Sequence, residues 1–111
     1  MSTATREITE AELAELVRRV VEAVHPLRII LFGSAARGEM TEDSDVDVVV
    51  EMPEGTRRRA SAFFIQTQFR GLGLPVDVVV VTPSLLQRYG QARGMVYREA
   101  LQGGKGIYAA S

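Results

Sequence analysis

Two valine runs, each entered through an acid, constrain the folding of this chain more than any other feature. "DVDVVVE" occupies residues 45–51 and "VDVVVV" residues 76–81. β-Branched runs of this length favour strands over helices. Successive side chains of a strand point to opposite faces, so Asp45 and Asp47 share one face while Val46, Val48 and Val50 share the other. The valine face belongs in a core. The opposite face then carries two carboxylates about 7 Å apart along the strand. They repel each other, and the sequence places no basic residue beside them. A divalent cation resolves that conflict. Hard carboxylate oxygens favour Mg²⁺, which binds through one or two carboxylates plus substrate phosphates. Asp77 enters the second run in the same way. If the two strands lie side by side it joins the pair, and three carboxylates at one sheet edge can hold two metals for phosphoryl chemistry. Taken singly, each acid also reads as a strand-end residue facing solvent.

The rest of the chain interleaves helices with these strands. Residues 9–24 place Leu13, Leu16, Val17, Val20, Val21 and Val24 at helical spacing. Thr9 is the expected N-cap, Glu12 its capping-box partner, and His25-Pro26 the stop. "LRIILFG" reads as a buried strand and "SAARG" as about one helical turn. "EMTEDS" reads as polar loop. A helix is expected over 59–70, with Phe63, Phe64 and Phe69 available for the core. "GLGLP" stops it. Thr82-Pro83-Ser84 starts a further helix, "MVYREALQGG" reads as the last helix, and "KGIYAA" as a final strand or tail. This order predicts an α/β (α+β) fold, a small mixed sheet with helices mainly on one face, in a single domain over residues 1–111.

The connection from Gly33 to Ser44 is 12 residues long, enough for a functional loop and too short for a crossover helix. Gly33-Ser34 follows a strand and precedes a helical turn. Backbone N–H groups there could cradle an anion, glycine permits close approach to a phosphate, and Ser34 adds a hydroxyl. Arg37 could bind phosphate or pair with an aspartate. A lone Gly-Ser is usually a plain turn. Here a candidate cradle and an acid pair fall within 20 residues, each just outside a strand.

The pattern Gly33, Ser34, Ala36, Arg37, Gly38, Ser44, Asp45, Asp47, with Asp77 as a third acid, resembles the nucleotidyltransferase superfamily that includes DNA polymerase beta. The resemblance covers roughly residues 13–82. By size the chain is similar to the minimal nucleotidyltransferase (MNT) group, whose members are often encoded beside a helical HEPN-domain protein as a toxin–antitoxin pair. The resemblance implies that Gly33 and Ser34 hold the β- and γ-phosphates of a nucleoside triphosphate, with Arg37 and Ser44 in the same nucleotide site. It implies that Asp45, Asp47 and Asp77 bind metal, two Mg²⁺ ions in all, and that Asp77 helps deprotonate an acceptor hydroxyl. The implied activity is adenylyl transfer from ATP, with this chain as antitoxin and a HEPN toxin as the modified partner.

Other signals are weaker. Arg57, Arg58 and Arg59 open a helix, where positive charge opposes the helix dipole. They read as a solvated helix start, or as a contact for an acidic partner, nucleic acid or triphosphate. His25, at a helix end, reads as structural. Nothing singles out Tyr89, Tyr97 or Tyr108 for nucleotide binding. A net charge of -1 gives no overall pull toward nucleic acid. With 0 cysteines there is no disulfide or thiolate site, which fits a reducing cytoplasm. No stretch approaches a membrane span or a signal peptide. Two other functions fit the same sequence: a toxin-neutralising binding module that needs no catalysis, and a transferase acting on a small molecule such as an aminoglycoside.

Overall fold

The computed structural model describes residues 5–89 and 103–111. Its elements are β1 (Thr5–Arg6), α1 (Glu10–Val24), β2 (Arg28–Phe32), α2 (Gly33–Arg37), β3 (Met40–Thr41), β4 (Val46–Glu51), α3 (Arg58–Thr67), β5 (Val76–Val81), α4 (Pro83–Tyr89) and β6 (Lys105–Ala109). A four-stranded mixed sheet runs in the order β5-β4-β2-β6. β4 is parallel to β5 and antiparallel to β2, and β2 is antiparallel to β6.

The valine runs do what their alternation predicts. Ile29, Leu31, Val46, Val48, Val50, Val76 and Val80 face one side of the sheet, where Leu16 and Val20 of α1 and Ile65 of α3 cover them. Ile30, Phe32, Val49 and Val81 face the other side, covered in part by Leu86 of α4. β4 is thus buried on both faces and β5, at the sheet edge, is buried at Val76, Val80 and Val81 and half-buried at Val78 and Val79, which is why both read as nearly continuous valine. Each fully buried valine contributes about 1.5–3 kcal/mol.

α1 starts and stops where its sequence says. The Thr9 side chain accepts from the Glu12 amide at 3.0 Å, and the Glu12 carboxylate accepts from the Thr9 amide at 2.9 Å. His25 ends the helix in the left-handed region, φ 49°, its amide donating to the Val21 carbonyl. Pro26 behind it denies His25 the right-handed helical region. Arg19 then ties α1 to the end of α3 by donating to the carbonyls of Gln68 and Arg70.

The segment read as a final strand or tail is a strand, β6, which completes the sheet beside β2. Two expectations need correction. The segment read as polar loop contains β3, which pairs antiparallel with β1. Of the phenylalanines near α3, only Phe69 is core; Phe63 is 74% exposed and Phe64 48% exposed. Ile65 and Phe69, four residues apart, take the inward stripe, and two adjacent phenylalanines cannot share it. Most of the expected helix over 95–104, with Tyr97, lies outside the described residues.

Candidate active site

The acids gather because of strand direction. β2 ends where β4 and β5 begin, so the turn after β2 lies beside the entries of both valine runs. Phe32 is the register partner of Asp47 across β2 and β4. Asp47 is in turn the partner of Asp77 across the parallel pair. Asp45 stands one residue before β4, whose start is fixed by the Val46 amide donating to the Pro75 carbonyl at 2.8 Å. Asp47 and Asp77 lie on the face shared with Val49 and Val81, at its open end; α4 covers the opposite end.

Asp45 and Asp77 meet directly. Asp77 is exposed, yet partial desolvation by its neighbours foremost, then the negative charge of Asp45 and a hydrogen bond between the two carboxyl groups, hold it above the ordinary carboxylate range. Among the described residues no salt bridge reaches Asp45 or Asp77.

Gly33 is buried against this cluster. Its φ is +68°, and an added Cβ would lie 2.6 Å from Asp47 Oδ2. The turn therefore excludes a side chain twice, by backbone conformation and by the carboxylate it faces. Ser34 follows, half-buried, and its hydroxyl has no hydrogen-bond partner among the described residues. α2 closes when the Glu39 amide donates to the Ser34 carbonyl at 2.9 Å, with Gly38 in the left-handed conformation.

The remaining candidates have structural partners. Arg37 is exposed and its Nε donates to Glu39 at 2.7 Å. The Ser44 hydroxyl accepts from the Thr41 amide at 2.9 Å and lies 3.2 Å from the Thr41 hydroxyl. Ser44 thereby closes the turn that delivers Asp45. Sequence reasoning missed Glu54. Its carboxylate accepts from the Ser84 amide at 2.7 Å and from the Ser84 hydroxyl at 2.9 Å. It caps α4, the helix over the second face of the sheet. The two residues are 30 positions apart, and no local pattern marks the pair.

No group of three acidic, imidazole or thiol side chains among the described residues stands arranged to hold a metal ion. Mg²⁺ asks for less, one or two carboxylates with phosphate oxygens completing its shell. Asp45 and Asp47 supply hard oxygens of the right charge, and the turn at Gly33 packs directly against the Asp47 carboxylate. The residues fit a magnesium–nucleotide. No helix among the described residues is long and apolar enough to cross a membrane.

Known proteins resemble this chain in sequence and fold. The "Putative protein adenylyltransferase" of Methanocaldococcus jannaschii is 35% identical over 77 residues, which are 64% of this chain and 77% of that one. A toxin–antitoxin crystal structure with AMP-PNP superposes with a TM-score of 0.62 at 19% identity, over 89% of this chain and 74% of that one. A mutant of the toxin–antitoxin pair MntA–HpeT superposes with a TM-score of 0.57 at 19% identity, over 94% of this chain and 76% of that one. Residues 13–103 match the nucleotidyltransferase domain, so the chain belongs to the nucleotidyltransferase family.

Proposed function

We propose that this nucleotidyltransferase moves AMP from ATP to a hydroxyl of a partner protein. It acts as the antitoxin of a pair whose toxin is a HEPN-domain protein, and residues 1–111 work as one catalytic domain. The observation that carries this reading is the adjacency of Asp47 to Gly33 on one side and to its register partner Asp77 on the other, with Asp45 beside Asp77. The 35% identical relative whose name is a protein adenylyltransferase supports the reaction class. The two toxin–antitoxin structures of the same fold support the partner class.

In this reading Gly33 and Ser34 hold the β- and γ-phosphates. Asp45 and Asp47 would hold Mg²⁺, and Asp77 would complete a second metal position. Bound there, the ions offset charge on the attacking and leaving oxygens. The acceptor oxygen bonds to the α-phosphorus, the bond to the β-phosphate breaks, and pyrophosphate leaves. Asp77 takes the hydroxyl proton. Ser44 sets the turn that aims Asp45, and Arg37 steadies the Gly33–Gly38 turn from outside through Glu39.

The test is ATP labelled at the α-phosphate, with Mg²⁺ and the protein encoded beside this chain. Label on that protein is expected. Toxin neutralisation that survives Asp45→Asn together with Asp47→Asn would sink the enzymatic account and leave a binding antitoxin. Label on an added aminoglycoside instead would give the small-molecule transferase.

A further inference from the structure

α3 carries a surface that the chemistry of the active site does not use. Phe63 is 74% exposed and Phe64 48% exposed on a helix whose other face is core. Arg57, Arg58 and Arg59 at its start and Arg70 beyond its end are exposed, and among the described residues none has an ion-pair partner. Elsewhere on this side the charges are self-neutralised: Arg18 pairs with Glu15 and Glu22, and Arg19 with Glu15. Three arginines at a helix N-terminus oppose the dipole and so weaken the helix that carries them. Adjacent exposed phenyl rings are likewise unfavourable for an isolated surface. Arginine and phenylalanine together are the residues enriched in protein interfaces.

The surface also has a cavity. A groove of about 370 Å³ runs from Phe63 past Gln66 and Leu74 to Pro75 and Val76. Its floor ends one residue before Asp77, on β5, the outer strand of the sheet among the described residues.

We propose that the exposed face of α3 and this groove dock an acidic segment of a partner protein, with an apolar side chain of that segment seated beside Phe63. The four unpaired arginines set the charge of the occupant, and the walls of Phe63, Leu74, Pro75 and Val76 set its apolar anchor. A second copy of this chain fits poorly, because a symmetric contact would set arginine cluster against arginine cluster. A nucleic acid fits poorly too. Its backbone needs a continuous cationic track, and the neighbouring Arg18 and Arg19 are already bound to carboxylates. The proposal deepens the proposed function and rests on its reading that the acceptor is a protein: the groove would seat that protein against β5, the strand that carries Asp77 on its other face.

The probe is a fluorescent amphipathic helical peptide with glutamates flanking a leucine–phenylalanine stripe, titrated with the full chain and followed by anisotropy. Binding is expected to weaken at least about tenfold in Phe63→Ser with Phe64→Ser, and separately in Arg58→Glu with Arg59→Glu. The second pair suits the helix dipole, so its loss of binding does not reflect unfolding. Binding should also weaken with salt and be absent for the same peptide with lysines in place of glutamates. Asp45→Asn with Asp47→Asn should leave it unchanged, which separates failure of docking from failure of catalysis. Equal binding of the lysine peptide, or binding unaffected by both surface variants, overturns the proposal. So does an oligouridylate that displaces the acidic peptide, or a dimer seen by sedimentation that the phenylalanine variant dissolves.

Discussion

Gly33 and Asp47 are in such close apposition that the glycine has no room for even a methyl group. A Cβ there would lie 2.6 Å from Asp47 Oδ2, on a backbone already at φ +68°. Gly33→Ala therefore strains the turn by about 1–2 kcal/mol and pushes the carboxylate from its position. We expect nucleotidyl transfer to fall by about a hundredfold, as for other small misplacements of a reacting group. The fold should survive. Steady-state transfer rates beside a thermal melt check this; full activity in a folded Gly33→Ala protein contradicts it.

Asp77→Asn should change stability in a pH-dependent way. Folded Asp77 holds its proton more tightly than it does in the unfolded chain, chiefly through partial desolvation and then through Asp45. Protonation therefore favours the fold, and the stability it contributes is lost as pH rises through the folded value. At neutral pH and without divalent metal, the neutral amide should raise the melting temperature above wild type. In acid, where wild-type Asp77 is protonated too, the difference should close. Melts in EDTA across that range give the answer, and destabilisation at neutral pH would count against the close approach of Asp45 and Asp77.

Glu54 should show the opposite sign. The Ser84 amide and hydroxyl hold its carboxylate below the usual range. The stability it contributes is present above the unfolded value and lost as pH falls through the folded one. Glu54→Gln should lower the melting temperature at neutral pH, have little effect in acid, and speed hydrogen exchange of the α4 amides. Exchange rates of α4 unchanged at neutral pH would show that the cap does not hold the helix.

The phenylalanines should separate clearly in what their removal costs. Phe69 is 7% exposed and Phe63 74% exposed. Phe69→Ala should cost about 3–5 kcal/mol, whereas Phe63→Ala should stay within about 0.5 kcal/mol. Urea unfolding of the two variants measures both. Similar costs would mean that α3 presents a different face to the core.

The contrast also shows what a sequence can and cannot reveal here. The valine runs and the capping box around Thr9 and Glu12 are local patterns with periods of their own, and both appear as read. The acids were legible because alternation alone puts Asp45 and Asp47 on one face; strand pairing then brings in Asp77. α3 was not legible to the same degree. It offers Ala60, Ala62, Phe63, Phe64, Ile65 and Phe69 around most of its circumference, so only packing decides which stripe goes inward. Ser44 was open to a phosphate role, yet its hydroxyl is engaged with Thr41, three residues away. The Glu54–Ser84 cap joins segments 30 residues apart and carries no local signal.

The central claim is that the carboxylates facing Gly33 drive transfer of a nucleoside monophosphate. Its most direct test is the stoichiometry of the reaction with Mg²⁺, α-labelled ATP and the partner protein. The account predicts one label on the partner for each pyrophosphate released, with both lost in Asp47→Asn. Transfer that persists in Asp47→Asn, or a wild-type chain that leaves the partner unlabelled while still neutralising it, would contradict the account.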